Sequence, residues 1–270
     1  MKPIVLDIKG LSKQFSLSAK GAGKGHAQVI SDLNLSVNEA EVCTILGSNG
    51  AGKTTLFNLI NGFTRADSGS IRFFDSAGEG HELTGLSTPH IARLGINRML
   101  QGISVFGHLS MIDNLQMARP VLASRHSWLE RMKPGFYRAE KRQAAEKLFV
   151  QAEQFFDQFS ICLAANQHKI AGTLSTAEQR LLSLCMMVVS PASLLLLDEP
   201  CSGLHTDQLG MIAKALEELK RHQKSILLIE HNLAFVEATS DTCHYLEGGH
   251  IRLSGSGNEV VRHYKTEQGC

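Results

Sequence analysis

Nine consecutive residues carry the clearest chemistry in the chain: Gly47-Ser48-Asn49-Gly50-Ala51-Gly52-Lys53-Thr54-Thr55. Glycines let a backbone curl so that successive N–H groups face one anion. Lys53 can reach the β- and γ-phosphates of a nucleotide, and the Thr54 hydroxyl can ligate Mg²⁺. The flanks fit this reading. Glu41-Val42-Cys43-Thr44-Ile45-Leu46 reads as a buried strand before the loop, and Thr54 to Phe63 as a helix after it. The start of that helix adds a dipole that favours negative charge. A plain glycine-rich turn does not account for Lys and Thr directly after Gly52.

A second constellation lies far along the chain. Leu194-Leu195-Leu196-Leu197-Asp198-Glu199-Pro200 is an apolar strand that ends in two acids. Leucine on both faces implies a central parallel strand, and open α/β sheets place ligands at the carboxyl ends of such strands. Asp198 can hold Mg²⁺ through water there. Glu199 can orient and deprotonate a water for in-line attack on a γ-phosphate. Taken alone, the pair also reads as a solvated turn; the Lys53 loop tips it toward metal and water. The next strand ends in Ile229-Glu230-His231. His231 reads either as a structural histidine or as a hydrogen-bond partner of the γ-phosphate and attacking water.

The elements that must position these groups follow from pattern. Ile4 to Leu11 alternates like a strand, residues 18–25 read as a loop rich in Gly, Ala, Ser and Lys, and Val29 to Val37 resumes a strand. Gly69 to Phe74 is another short strand, and Asp75 to Leu86 is polar and turn-rich. From about Ser124 to Leu163 the spacing turns helical, with a break at Trp128, Pro134 and Gly135. Strands return at Ser193 to Leu197 and Ser225 to Ile229, with an amphipathic helix from about Asp207 to His222 between them. Tyr245-Leu246 and His250 to Leu253 form a closing hairpin around Gly248-Gly249. A mixed α/β core thus carries a mostly helical insert.

Composition bounds the partners. In 270 residues, 43% are hydrophobic, enough for a proper core, and a net charge of +1 gives no strong pull toward nucleic acid or anionic lipid. No apolar run approaches the roughly 20 residues that span a bilayer, and Met1 to Leu17 lacks an apolar signal core. Cys43, Cys162, Cys185, Cys201, Cys243 and Cys270 form no CxxC pair and read as reduced, mostly buried thiols.

The order of these motifs resembles the ATPase subunits of ABC transporters, over nearly the whole chain. Gly47 to Thr55 matches Walker A, Leu194 to Glu199 matches Walker B with its catalytic Glu, and His231 matches the switch histidine. The resemblance implies a P-loop NTPase (RecA-like) α/β core with an antiparallel β subdomain and an inserted α-helical subdomain. It implies one ABC ATPase domain over residues 1–270, with 1–100 and 191–270 as nucleotide-binding core and 101–190 as Q-loop and helical subdomain. Gln101 sits where the family's Q-loop glutamine lies, to contact Mg²⁺ and sense the transmembrane subunit. Phe15 is either the aromatic that stacks on adenine or an ordinary core Phe. ATP and Mg²⁺ are the implied cofactors. The implied partners are a second ATPase subunit (the same chain or another), transmembrane permease subunits near residues 102–114 and, indirectly, a substrate-binding protein, with no nucleic acid. The implied location is cytoplasmic, peripheral on the inner face of the cell membrane. Within the family the chain is most similar to branched-chain amino-acid transport ATPases. Asn61-Gly62-Phe63 with Ser68 to Ile71, the run Ile91 to Arg98 through Val105-Phe106 and Asn114-Leu115, and the basic stretch Ser127 to Glu140 carry that likeness. Competing readings are a non-transport ABC ATPase and a regulatory subunit that hydrolyses weakly.

One motif departs from the family. Its Leu-Ser-Gly-Gly-Gln signature aligns with Leu174-Ser175-Thr176-Ala177-Glu178, so both glycines are gone and Gln has become Glu. In the family this segment, including the residue matched by Ser175, opens a helix that presses on the other subunit's γ-phosphate. A Cβ at each former glycine obstructs close backbone approach. At about 6 Å and an effective dielectric of about 20, a carboxylate repels a phosphate charge by roughly 3 kcal/mol, more than a helix-dipole gain of about 0.3–1 kcal/mol. Ser175-x-x-Glu178 is also a capping box, in which Glu178 folds back on its own helix. Both readings stand at this point, and they are not exclusive. His205 also replaces the usual Asp or Asn of the D-loop after Ser202-Gly203-Leu204.

Overall fold

The computed structural model describes residues 2–17, 25–99, 105–118 and 136–267. Gln101, the flexible-loop reading at residues 18–24 and the break at Trp128, Pro134 and Gly135 lie outside them. The chain divides into two compact units: Met1–Gln101 with Ala192–Ser202 and Leu219–Cys270, and Gly102–Pro191 with Gly203–Glu218.

The first unit holds two sheets. One is antiparallel, in the order β2 (Gly25–Asn38), β1 (Ile4–Leu17), β4 (Ser68–Phe74), β5 (Gly80–Glu82). The other runs β10 (His250–Gly255), β9 (Thr242–Glu247), β3 (Val42–Leu46), β8 (Ser225–Ile229), β7 (Leu194–Asp198), β6 (Ile96–Met99). It is parallel except at the β9–β10 hairpin. β3, β7 and β8 are buried at every residue, as strands covered on both faces must be. Their apolar side chains join those of β1 and β2 in one core, with Phe57 and Phe73 among its largest members.

Local chemistry sets several boundaries away from the expected ones. The helix after the loop, α1, spans Lys53–Ile60 and stops at Asn61, before Phe63, because Gly62 turns out at φ +73. β1 runs on past Leu11, its register with β2 shifting between Ile8 and Leu11 around Gly10 at φ +58. Within the polar stretch 75–86 a short strand forms, β5. Helix α2 (Thr88–Leu94), with Pro89 in its first turn, ends on Gly95 at φ +114 and feeds β6. The Gly95 carbonyl then accepts from Ser193 N (2.9 Å), which starts the β6–β7 register.

The second unit is helical: α3 (Met111–Met117), α4 (Phe136–Asp157), the short α5 (Leu163–Asn166) and α6 (Thr176–Val189), with α7 (Leu209–Arg221) beginning in it. Buried Phe155 and Phe156 meet edge to face at 5.5 Å, and α6 buries Leu181, Leu182, Leu184 and Cys185. Two further helices, α8 (Leu233–Thr239) and α9 (Gly257–Glu267), return to the first unit, where Tyr264 packs on Tyr245 at 5.2 Å. Among the described cysteines Cys43, Cys185, Cys201 and Cys243 are buried, Cys162 is exposed, and all are free thiols.

Candidate active site

The loop after β3 is fixed by sterics at two glycines. A Cβ at Gly47 would lie 2.3 Å from the Leu246 carbonyl oxygen, and one at Gly52 would lie 2.7 Å from that of Val29. Gly52 also sits at φ +108, where side chains are strained, and it is the N-cap of α1. No side chain caps this helix, and its first turn holds no acid. Its leading N–H groups are therefore offered outward, the arrangement that receives phosphate. Lys53 is buried and donates from Nζ to the carbonyls of Gly47 (2.7 Å) and Ser48 (2.9 Å). Burial pulls its pKa below the usual lysine value, and the nearby Glu199 and Asp198 carboxylates oppose that.

β7 and β8 deliver the acids. β8 lies between β3 and β7, so the loop, His231 and the acid pair all leave the carboxyl edge of adjacent strands. Asp198 ends β7, buried, with Oδ2 2.9 Å from Arg98 Nη2. Glu199 turns at φ +49, an unusual conformation for a residue with a side chain, and its N–H donates to the Ile229 carbonyl at 2.9 Å. That turn brings Glu199 Oε1 to 2.6 Å from His231 Nε2. A carboxylate only accepts, so the ring presents its N–H there.

Around one cleft of about 340 Å³ stand Val29, Asn49, Gly50, Gly52, Lys53, Thr54, Thr55, Glu199 and His231. Motifs some 150 residues apart in sequence thus line one opening. Thr54 is exposed beside it; its hydroxyl and the Asp198 carboxylate are hard-oxygen groups of the chemical kind that Mg²⁺ takes. Phe15 lies on β1 opposite Ala27, 40% exposed, with Lys13 Nζ 5.3 Å from its ring centre. It is thus a surface aromatic rather than a core one. Ser175 belongs to the second unit.

Two functional neighbours escape the sequence reading. Glu230 is buried and accepts from the amides of Cys201 (2.8 Å, Oε1) and His231 (3.0 Å, Oε2), so it clamps both turns that carry Glu199 and His231. Its only signal is an acid closing an apolar strand. Arg98 holds Asp198, and a lone arginine in a short strand gives no signal at all.

The Ser175 segment resolves as a reciprocal cap. Ser175 Oγ accepts from the Glu178 amide at 3.3 Å, while Glu178 Oε2 accepts from Ser175 N (2.8 Å) and Oγ (2.7 Å). Hydrogen bonds from the Ser175 hydroxyl and amide hold the Glu178 carboxyl below the usual carboxylate range.

The ABC transporter family matches residues 30–202. The chain is 30% identical to the high-affinity branched-chain amino acid transport ATP-binding protein BraF of Pseudomonas aeruginosa, over 95% of this chain and 93% of that protein. It is 31% identical to BraG of the same organism, over 89% and 92%. It is 27% identical to LivG of Escherichia coli K12, over 96% and 94%. A nucleotide-free ATP-binding cassette from an ABC transporter superposes with a TM-score of 0.74 at 24% identity, covering 97% of this chain and 95% of that one. The ADP conformation of MJ1267, an ATP-binding cassette of an ABC transporter, gives 0.73 at 23%, covering 98% and 96%. These two likenesses bear on the fold.

Proposed function

Since the chain belongs to the ABC transporter family, and is an ATP-binding, ATP-hydrolysing subunit of that kind, we propose that it energises an importer of branched-chain amino acids or similar small solutes. The observation that carries the catalytic part is the shared cleft of residues 49–55 with Glu199 and His231. In this reading Lys53 leaves the loop carbonyls for the β- and γ-phosphates, and the uncapped start of α1 holds phosphate oxygens. Thr54 and Asp198 hold Mg²⁺, which supplies charge neutralisation on the phosphates when bound. Glu199 takes the proton of the attacking water, and His231 holds that carboxylate in place. Gln101 couples the site to the permease, and Phe15 stacks on adenine.

The cargo assignment draws on the branched-chain amino acid transport named for BraF, BraG and LivG. No helix among the described residues is long and apolar enough to cross a membrane; in this reading permease subunits hold the chain on the cytoplasmic face, as expected of an ATP-binding subunit of a transporter. Phe106 (43% exposed) and Ile170 (44%) support such a contact. They flank segments joined by hydrogen bonds from Gly172 N to Gly107 O and from Ala171 N to Leu109 O (2.8 Å each).

Glu199→Gln tests the chemistry. It keeps the shape and removes the proton acceptor. Steady-state turnover is expected to fall by about 10²–10⁴, the share a general base supplies, with ATP still bound. A variant that turns over like wild type would end the assignment of Glu199.

A second reading, of asymmetric use, rests on the Glu178 cap. In a head-to-tail dimer this chain would hydrolyse ATP at its own Walker residues against a partner's intact signature, and would serve the partner's site poorly.

A further inference from the structure

Arg98 is the one charged residue of β6, and its side chain is 7% exposed. Its two terminal nitrogens go to different elements. Nη2 donates to Asp198 Oδ2 at 2.9 Å, at the end of β7, and Nη1 donates to Asn58 Oδ1 at 2.7 Å, on α1. The guanidinium lies 5.4 Å from the ring centre of Phe57. Its Nε is buried with no hydrogen-bond partner among the described residues.

A buried ion pair with one donor left over is a poor way to gain stability, since desolvation offsets most of the attraction. The arrangement makes better sense as geometry. Thr54 and Asn58 are four residues apart on α1 and so share a helix face. The fork of Arg98 therefore ties the face that carries Thr54 to the carboxylate of Asp198. Those are the two oxygen groups assigned to Mg²⁺ above, and Mg²⁺ tolerates little departure from octahedral geometry at short range.

We propose that Arg98 is a positioning residue: its guanidinium, bridging Asn58 and Asp198, sets the separation at which Thr54 and Asp198 meet the nucleotide's metal. The proposal rests on the nucleotide reading of the cleft. It differs from a simple charge partner in needing both ends of the fork. Lysine, a single point donor, can keep Asp198 company but cannot also span to Asn58.

The test uses the full chain with ADP, and Mn²⁺ as the metal probe. Mn²⁺ affinity of the protein–ADP complex is read by electron paramagnetic resonance, and metal-free ADP affinity by calorimetry in EDTA. Arg98→Met is expected to weaken Mn²⁺ about tenfold, the low end of losses for groups that orient a metal ligand, with metal-free ADP affinity unchanged. Arg98→Lys recovers part of the loss. Asn58→Ala keeps the ion pair and still weakens Mn²⁺, by less than Arg98→Met does, but adds nothing in the Arg98→Lys background. If Arg98→Met does not fold, Asn58→Ala carries the test. The proposal is overturned if Asn58→Ala binds Mn²⁺ like wild type, or if Arg98→Met loses metal-free ADP and Mn²⁺ by the same factor. Absence of ADP binding by the wild-type chain would overturn the nucleotide reading itself, a result visible before any variant is made.

Discussion

Two helices of this chain begin where a phosphate could be received, and their first turns are finished in opposite ways. α1 starts on Gly52, with no side-chain cap and Lys53 directly inside. α6 starts on Ser175, whose hydroxyl and amide are both committed to Glu178, a negative charge in the first turn. Both ends carry the same backbone dipole. What separates them is whether the chain fills the end from within. At α1 the loop glycines lie where a Cβ would meet the Leu246 and Val29 carbonyls, and the end stays uncapped; at α6 the chain's own Glu178 carboxylate takes up the Ser175 amide and hydroxyl.

The largest expected effect lies at the open end. Lys53→Ala removes a charged donor from the phosphate site, and hydrogen bonds to charged groups are worth about 1.5–3 kcal/mol. Calorimetric Mg-ATP affinity should therefore drop about 10–100-fold. An unchanged affinity in folded protein would mean that the α1 end is not where the triphosphate sits, and the contrast with α6 would lose its meaning.

Next comes the closed end. Thr176→Gly, Ala177→Gly and Glu178→Gln together remove two Cβ atoms and one charge from the start of α6. In the transporter reconstituted with its partner subunits, ATP turnover should rise about three- to tenfold. Roughly a quarter to a half of the ~3 kcal/mol repulsion between a carboxylate and a phosphate corresponds to that factor. Equal rates would show that the α6 end never meets a phosphate in this protein, and that its cap is purely local.

The same comparison explains what could be read from sequence. The open end was legible because glycines, Lys53 and Thr54 follow one another at a spacing that a plain turn does not need, and because β3 is mostly apolar and β7 carries four leucines before Asp198. The closed end was half legible. The capping-box spacing was visible, but whether Glu178 folded back or projected outward depended on a rotamer, which no spacing encodes. α2 is only seven residues long, too short for a helical period to emerge, although Pro89 and Gly95 mark its two ends. β6 hides a buried arginine that pattern reading assigns to solvent. The hydrogen bond that Glu230 accepts from Cys201 N joins residues 29 apart in the chain, whose proximity depends on tertiary structure. α9 covers Tyr245 with Tyr264 from a mainly polar stretch, so its apolar face was sparse in sequence.

The smallest effect isolates the cap from the charge. Glu178→Ala leaves the Ser175 amide without its partner and should lower unfolding stability by about 1 kcal/mol near pH 7. Glu178→Gln keeps a capping-box donor–acceptor pair and should lose only a few tenths of that. The pH dependence has a definite sign. The Ser175 hydrogen bonds hold the Glu178 carboxyl below its ordinary value of 4.5 in the folded chain. Its contribution is therefore fully present above that value and fades as pH falls through the lower folded pKa. Chemical denaturation midpoints from pH 7 down to about pH 3 should show wild type and Glu178→Ala converging on the acid side, while Glu178→Gln, which cannot titrate, follows no such step. If wild type and Glu178→Ala match at pH 7, the reciprocal bonds contribute nothing in solution. Glu178 would then be free to face a partner's phosphate, and the low turnover expected of an unrestored signature would have to be assigned to repulsion alone.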